Sequence, residues 1–354
     1  MAYPTVVMDS KVSRKLLPID ASWSTPQILD ALLVALKGDG PALSTSRTSF
    51  DEVDSNIALV VSTSGSTGAA KDVTLSANSL LASARSSHKF INAKVGQRWS
   101  LLLPTTHIAG INVLVRSIEL GTSPVSVEAE ADFTAIVPTQ LHRALNGDDL
   151  LLHHLKSCQK VLVGGGPLSP TLRIDAEKFG VNVVETYGST ETCGGVIYDG
   201  SPVDGVEVKL IDEKIAIKGP QLALGYLDQG PIASHGWFVS SDLGELRDGK
   251  WRVLGRADDQ IISGGEKISL SAVDGFLQSE FTDIEIVAFG KKDAEWGEKL
   301  CLATTKEIPA DLITLKLKER FGGHASPKEI LRVKEIPYLS IGKPDRRQLA
   351  NDNS

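Results

Sequence analysis

Ser62-Thr-Ser-Gly-Ser-Thr-Gly-Ala-Ala-Lys-Asp72 follows the apolar run Ile57-Ala-Leu-Val-Val61 and leads straight into Val73-Thr-Leu75. Small hydroxylated residues and glycines let a backbone approach an anion closely, and their amides, hydroxyls and one ammonium can surround phosphate oxygens. Ser and Gly are also common in solvated linkers, but here they interrupt two strand-like runs, which weakens that reading. The stretch is not a Gly-x-x-x-x-Gly-Lys-Ser/Thr loop, since Ala70 precedes Lys71 and Asp72 follows it. A nucleotide-phosphate loop of another kind is therefore expected at a strand end.

The chain of 354 residues has room for two or three domains. Its 42% hydrophobic and 23% charged content is that of an ordinary globular protein. A net charge of −7 argues against sequence-independent nucleic-acid binding, which needs clustered cations. Cys158, Cys193 and Cys301 are far apart and odd in number, so neither a disulfide framework nor metal-ligand spacing is expected, and the thiols read as reduced. No apolar run approaches the roughly 18 residues of a membrane span. Nor does Met1-Ala-Tyr-Pro-Thr-Val-Val7 carry a basic region followed by a long apolar one. The expectation is a soluble cytoplasmic protein without nucleic-acid or membrane partners.

Between residues 57 and 187, β-branched runs at 57–61, 99–103, 135–137, 160–163 and 181–184 alternate with helical patterns at 77–89, 110–120 and 170–179. That alternation predicts an α/β fold with a largely parallel sheet, whose ligands sit at the carboxyl ends of strands. From 205 to about 262, short strands separated by Gly- and Asp-containing turns predict an antiparallel meander. A new unit follows, with helices near 271–278 and 310–320 and strands near 284–289 and 300–304. The division expected is 1–257 and 258–354. Before residue 57 only a helix at 26–36 is legible.

Further candidates follow the loop. Glu185-Thr-Tyr-Gly-Ser-Thr-Glu-Thr-Cys-Gly-Gly195 combines a ring able to stack on a base, a hydroxyl for a phosphate oxygen and a carboxylate for Mg²⁺. Singly, Tyr187 reads as a core aromatic, Thr190 as a turn former and Glu191 as a surface charge. Asp242, Arg256, Asp258, the pair Gly264-Gly265 and Lys343 in Gly342-Lys-Pro-Asp-Arg-Arg347 complete the series.

The ordered set, spanning Ser62 to Arg346, resembles the adenylate-forming superfamily of acyl-CoA synthetases, peptide-synthetase adenylation domains and luciferases. The resemblance implies a large N-terminal domain with parallel and mixed sheets and a small mobile α+β C-terminal domain hinged at Asp258. It implies that Thr63, Ser64, Gly65, Ser66, Thr67, Gly68 and Lys71 hold the β- and γ-phosphates of ATP, although Ala70 replaces the usual proline. Gly164, Gly165, Gly166, Glu185, Thr186 and Tyr187 would line the adenine, and Asp242 and Arg256 the ribose. Thr190 would touch the α-phosphate and Glu191 would hold Mg²⁺. Lys343 would be the catalytic lysine of adenylate formation, its charge meeting the pentavalent phosphorus. After rotation of the small domain, Gly264, Gly265, Glu266 and Lys267 would approach the pantetheine of CoA. Glu266 and Lys267 read equally well as surface charges.

In Leu102-Leu-Pro-Thr-Thr-His-Ile-Ala-Gly-Ile-Asn-Val-Leu-Val-Arg-Ser-Ile-Glu119, Ile111, Leu114, Val115 and Ile118 form an apolar helical stripe, leaving Asn112 and Arg116 on the other side. Taken alone, Arg116 is expected at the surface, paired with Glu119. With Pro138-Thr-Gln-Leu-His-Arg-Ala-Leu145 and Val161-Leu-Val-Gly-Gly-Gly-Pro-Leu168, however, the stretch resembles the o-succinylbenzoate–CoA ligases of menaquinone biosynthesis in their shorter actinobacterial form. That resemblance implies an acid pocket of His107, Gly110, Arg116 and Gly188, with Arg116 meeting the second carboxylate of 2-succinylbenzoate directly or through water. Another aryl or acyl acid, or a carrier-protein thiol in place of CoA, are the other readings. The phosphate loop lies nearer the start than in full-length relatives, so an apolar face left for a second copy, and hence a homodimer, is expected.

Overall fold

The computed structural model describes residues 13–63, 71–257, 259–281, 284–338 and 344–351. The expected sites Ser64, Gly65, Ser66, Thr67, Gly68, Asp258 and Lys343 lie outside them.

Among the described residues the strands form four sheets. The first runs in the order Gly230–Pro231, Gly225–Tyr226, Lys71–Ser76, Ile57–Thr63, Ala42–Ser44, Ser13–Pro18 and Glu52–Asp54. The second holds Ser201–Pro202, Gly194–Tyr198, Val183–Ser189, Lys160–Val163, Phe133–Ile136 and Trp99–Ser100. Its last four strands are parallel. The alternating region therefore divides between two sheets instead of building one. Ile57–Thr63 pairs antiparallel with Lys71–Ser76, because only the short segment 64–70 joins them.

Helices Ala77–Ile91 and Ile108–Glu119 lie between these sheets. Leu80, Ile111, Leu114 and Val115 pack with Leu43, Leu59 and Leu75 of the first sheet. Val113 and Leu120 pack with Trp99, Phe133 and Leu162 of the second. The opposite face of the parallel sheet, with Val161 and Val163, is covered by Leu141, Leu155 and Ala176 from the helices that follow. Strand side chains alternate faces, so each parallel strand contributes to both cores.

Glu207–Ile211, Lys214–Lys218, Phe238–Arg247 and Lys250–Arg256 form the antiparallel meander. It is interrupted at Gly225–Tyr226, which instead extends the first sheet. Gln260–Ser263 belongs to the last sheet, with Glu266–Ser269, Gly297–Thr304, Ile286–Asp293 and Glu329–Arg332. Val273, Leu277, Ile313 and Leu317 cover one face of that sheet, and Ile336 and Leu349 the other. Of the described helices, none is long and apolar enough to cross a membrane.

Candidate active site

Ser62 and Asp72 face each other across the first hairpin, and the Ser62 hydroxyl donates to the Asp72 carboxylate. Thr63 Oγ1 donates to Lys71 O at 3.2 Å, so the strands stay paired up to the residues that flank 64–70. Lys71 Nζ stands 5.0 Å from the centroid of the Tyr226 ring, and Tyr226 Oη donates to Glu191 Oε1 at 3.0 Å. The lysine of one motif and the carboxylate of another thus meet on one side chain.

Strand Val183–Ser189 carries the second motif further than its β-branched start suggests, so Glu185, Thr186, Tyr187 and Gly188 are strand residues. Thr186 Oγ1 donates to Val163 O at 3.2 Å, and a Cβ on Gly164 would lie 2.3 Å from that hydroxyl. Gly164 is therefore required for contact between neighbouring strands, while Gly165 takes a left-handed φ of +80° at the turn. Tyr187 Oη donates to Asp242 Oδ2 at 2.7 Å, and Asp242 faces Arg256 across the meander with 3.8 Å between charged atoms. Burial, reinforced by the Asp242 charge, pushes the Tyr187 phenol well above its usual range, so it remains a donor. Tyr187, Asp242 and Arg256 form one cluster.

Gly188 pairs with Gly195 on the adjoining strand, where a Cβ would lie 1.9 Å from Gly194 O. Behind this wall Asn112 Nδ2 donates to Cys193 O at 2.9 Å. Burial pushes the Cys193 thiol up to about 12, which makes it a packing residue and not a nucleophile. His107 is exposed immediately before helix Ile108–Glu119, and Gly110 is tightly packed, a Cβ there falling 2.2 Å from Pro104 O.

Arg116 departs from the surface position that the helical stripe predicts. It is only 4% exposed, and Glu119 pairs instead with Arg85 at 2.6 Å. The reason is that this helix is covered from both sheets, so its polar face is buried too. The Arg116 guanidinium lies over Trp99, 4.9 Å from the ring centroid, and Nη2 donates to Tyr198 Oη at 3.2 Å. Its Nε has no hydrogen-bond acceptor among the described residues. Beside it, burial and the Arg116 charge lower His88 to about 4. Trp99, Tyr198 and Tyr226 carried no sequence signal for these roles, since isolated aromatics read as core.

Gly264 and Gly265, with φ of +61° and +89°, form the turn between Gln260–Ser263 and Glu266–Ser269. Two successive left-handed residues match a two-residue hairpin. Glu266 and Lys267 are exposed there, on a different sheet from Tyr187, Asp242 and Arg256.

The AMP-binding enzyme family matches residues 5–227. The probable 2-succinylbenzoate–CoA ligase of Mycobacterium tuberculosis strain H37Rv is 34% identical, over 94% of this chain and 97% of that protein. The 2-succinylbenzoate–CoA ligase of Enterococcus faecalis is 28% identical, over 81% of this chain and 68% of its own. The fold is that of O-succinylbenzoate coenzyme A synthetase from Bacillus subtilis. Its complex with AMP gives a TM-score of 0.75 at 24% identity, over 95% of this chain and 78% of that one. Its complex with ATP and magnesium gives 0.73 at 23% identity, over 95% and 84%.

Proposed function

The chain belongs to the AMP-binding enzyme family and is an AMP-forming acid–thiol ligase, and from that premise we propose that it joins 2-succinylbenzoate to CoA through an acyl-adenylate, in the cytoplasm, for menaquinone synthesis. The observation that carries this reading is the convergence of Tyr187, Asp242 and Arg256 on one side and Lys71 and Glu191 on the other around the motif of strand Val183–Ser189.

ATP enters with its adenine along Tyr187 and Gly164–Gly166 and its ribose on Asp242 and Arg256. Magnesium usually keeps several waters and is held by one or two carboxylates together with substrate phosphates. Glu191, whose described hydrogen bond engages Oε1, fits that requirement. Bound there, Mg²⁺ would neutralise phosphate charge. Thr63 and Lys71 take the β- and γ-phosphates and Thr190 the α-phosphate. A substrate carboxylate oxygen attacks the α-phosphorus, the bond to the bridging oxygen breaks and pyrophosphate leaves, with Lys343 opposing the developing charge. The unit from 258 onward then turns about Asp258 and brings Gly264–Lys267 forward, and the CoA thiolate displaces AMP.

The second carboxylate is assigned to Arg116. A buried donor without an acceptor costs about 1–3 kcal/mol, and among the described residues Arg116 Nε is such a donor. A carboxylate, or a water bound to one, would satisfy it. His107 and Gly188 are assigned to the same acid site on the sequence resemblance.

Pyrophosphate release with Mg-ATP is to be measured for 2-succinylbenzoate, benzoate, succinate and medium-chain fatty acids, each with and without CoA. CoA-dependent turnover selective for 2-succinylbenzoate is expected. Preference for another acid would retain the two-step chemistry and overturn the assignment of Arg116. Lys343→Ala should suppress adenylate formation yet leave thioester formation from supplied acyl-adenylate largely intact.

A further inference from the structure

Tyr226 belongs to no motif of the nucleotide site, yet its side chain touches two of that site's charged groups. It lies in a strap, residues 223–227, that joins the strand after the phosphate loop to the segment carrying Glu191. Leu224 N donates to Thr74 O at 2.9 Å and Leu227 N to Asp72 O at 2.8 Å, while Ala223 N donates to Glu191 O at 2.8 Å. Thr74 Oγ1 adds a bond to Gly225 O at 3.0 Å. Ala223 is thereby held to the Glu191 segment and Leu224, Gly225 and Leu227 to strand Lys71–Ser76, with Tyr226 aimed between them.

Its hydroxyl donates to Glu191 Oε1 at 3.0 Å, and its ring faces Lys71 Nζ at 5.0 Å from the centroid. Lys71 and Glu191 make no ion pair with each other among the described residues. A direct pair would have to be broken whenever nucleotide arrived, because the ammonium would exchange a carboxylate for a phosphate and the carboxylate an ammonium for a metal. A neutral phenol between them holds each group without cancelling its charge: a cation is attracted to a ring face, and a hydroxyl orients one carboxylate oxygen while leaving the other free.

We propose that Tyr226 is a positioning residue for adenylate formation, which keeps Glu191 and Lys71 apart and presents the first to Mg²⁺ and the second to the phosphates. The assignment rests on the function proposed above.

The test is calorimetric ATP binding in Mg²⁺ and in EDTA, for wild type, Tyr226→Phe, Glu191→Gln and the double variant, with both half-reactions followed separately. Tyr226→Phe should raise the Kd for ATP in Mg²⁺ about tenfold, as for loss of one hydrogen bond to a charged group, and leave the Kd in EDTA unchanged. Adenylate formation should fall with it, while thioester formation from supplied acyl-adenylate stays within about twofold of wild type. In the double variant the two losses should not add, because both act on one carboxylate. Additive losses, an unchanged Kd in Mg²⁺, or equal loss of binding in Mg²⁺ and EDTA would overturn the proposal. If Glu191→Gln abolishes the Mg²⁺ effect while Tyr226→Phe retains it, the function stands and this role for Tyr226 falls. If Mg²⁺ does not strengthen ATP binding in the wild type, the assignment of Glu191 falls, and this one with it.

Discussion

Tyr187 Oη and Asp242 Oδ2, 2.7 Å apart, join the residue proposed for the adenine to the residue proposed for the ribose. Asp242 has two further neighbours, Arg256 at 3.8 Å and the Ser240 hydroxyl, which accepts from the Asp242 amide at 3.1 Å. Asp242→Ala removes the acceptor of the Tyr187 phenol and the proposed ribose ligand together. Hydrogen bonds to charged groups contribute about 1.5–3 kcal/mol each, so ATP binding measured by calorimetry should weaken by roughly tenfold to a hundredfold. Tyr187→Phe, which removes the bond and keeps the ring, should lose less.

Gly188 makes a different demand. A methyl group there would sit 1.9 Å from Gly194 O and 2.8 Å from Gly195 Cα. The obstacle is backbone, which cannot rotate away, so the pair of strands must separate. Overpacking of this kind costs about 1–3 kcal/mol or more. Gly188→Ala should lower the thermal midpoint and abolish pyrophosphate release with every acid; normal release with any acid would contradict a wall built from Gly188 and Gly194.

The candidate nucleotide residues stood out as short ordered motifs through a family resemblance, and the structure brings Tyr187, Asp242 and Arg256 into one cluster and Lys71 and Glu191 onto Tyr226. The burial of Arg116 was not legible, since a helical stripe reports only one covered face and helix Ile108–Glu119 is covered on both. The parallel sheet was visible from its β-branched runs, whereas the strands Ser13–Pro18, Ala42–Ser44 and Glu52–Asp54 were not. Strands this short carry too few residues for alternation to stand out. Tyr226 was hidden for a third reason: its role depends on a pairing with Val73 that no local pattern encodes.

His88 supplies a pH dependence. Its Nε2 accepts from Trp99 Nε1 at 3.3 Å, and burial beside Arg116 lowers it to about 4 from an ordinary 6.5. Between those values the unfolded chain binds the proton and the folded chain does not, so stability is fully present above about 6.5 and is lost as pH falls toward 4. The shift corresponds to about 3 kcal/mol at most. Urea midpoints should fall between pH 7.5 and pH 5, and His88→Gln, which retains an acceptor for Trp99, should flatten that part of the profile. An equal fall in the variant would assign the dependence elsewhere.

Gly264 and Gly265 separate two effects that usually come together. Among the described residues a Cβ on Gly265 meets nothing within 4 Å, whereas one on Gly264 would lie 2.9 Å from the Trp296 ring. Gly265→Ala therefore adds only the cost of a left-handed L-residue, about 1–2 kcal/mol, and Gly264→Ala adds a clash besides. If this turn approaches pantetheine, both variants should slow thioester formation from supplied acyl-adenylate, Gly264→Ala by more. Pyrophosphate release in the adenylation half-reaction should stay within about twofold of wild type, because the turn lies on a different sheet from Tyr187, Asp242 and Arg256. Equal slowing of both half-reactions would mean that the turn supports the small unit's stability and takes no part in delivering the thiol.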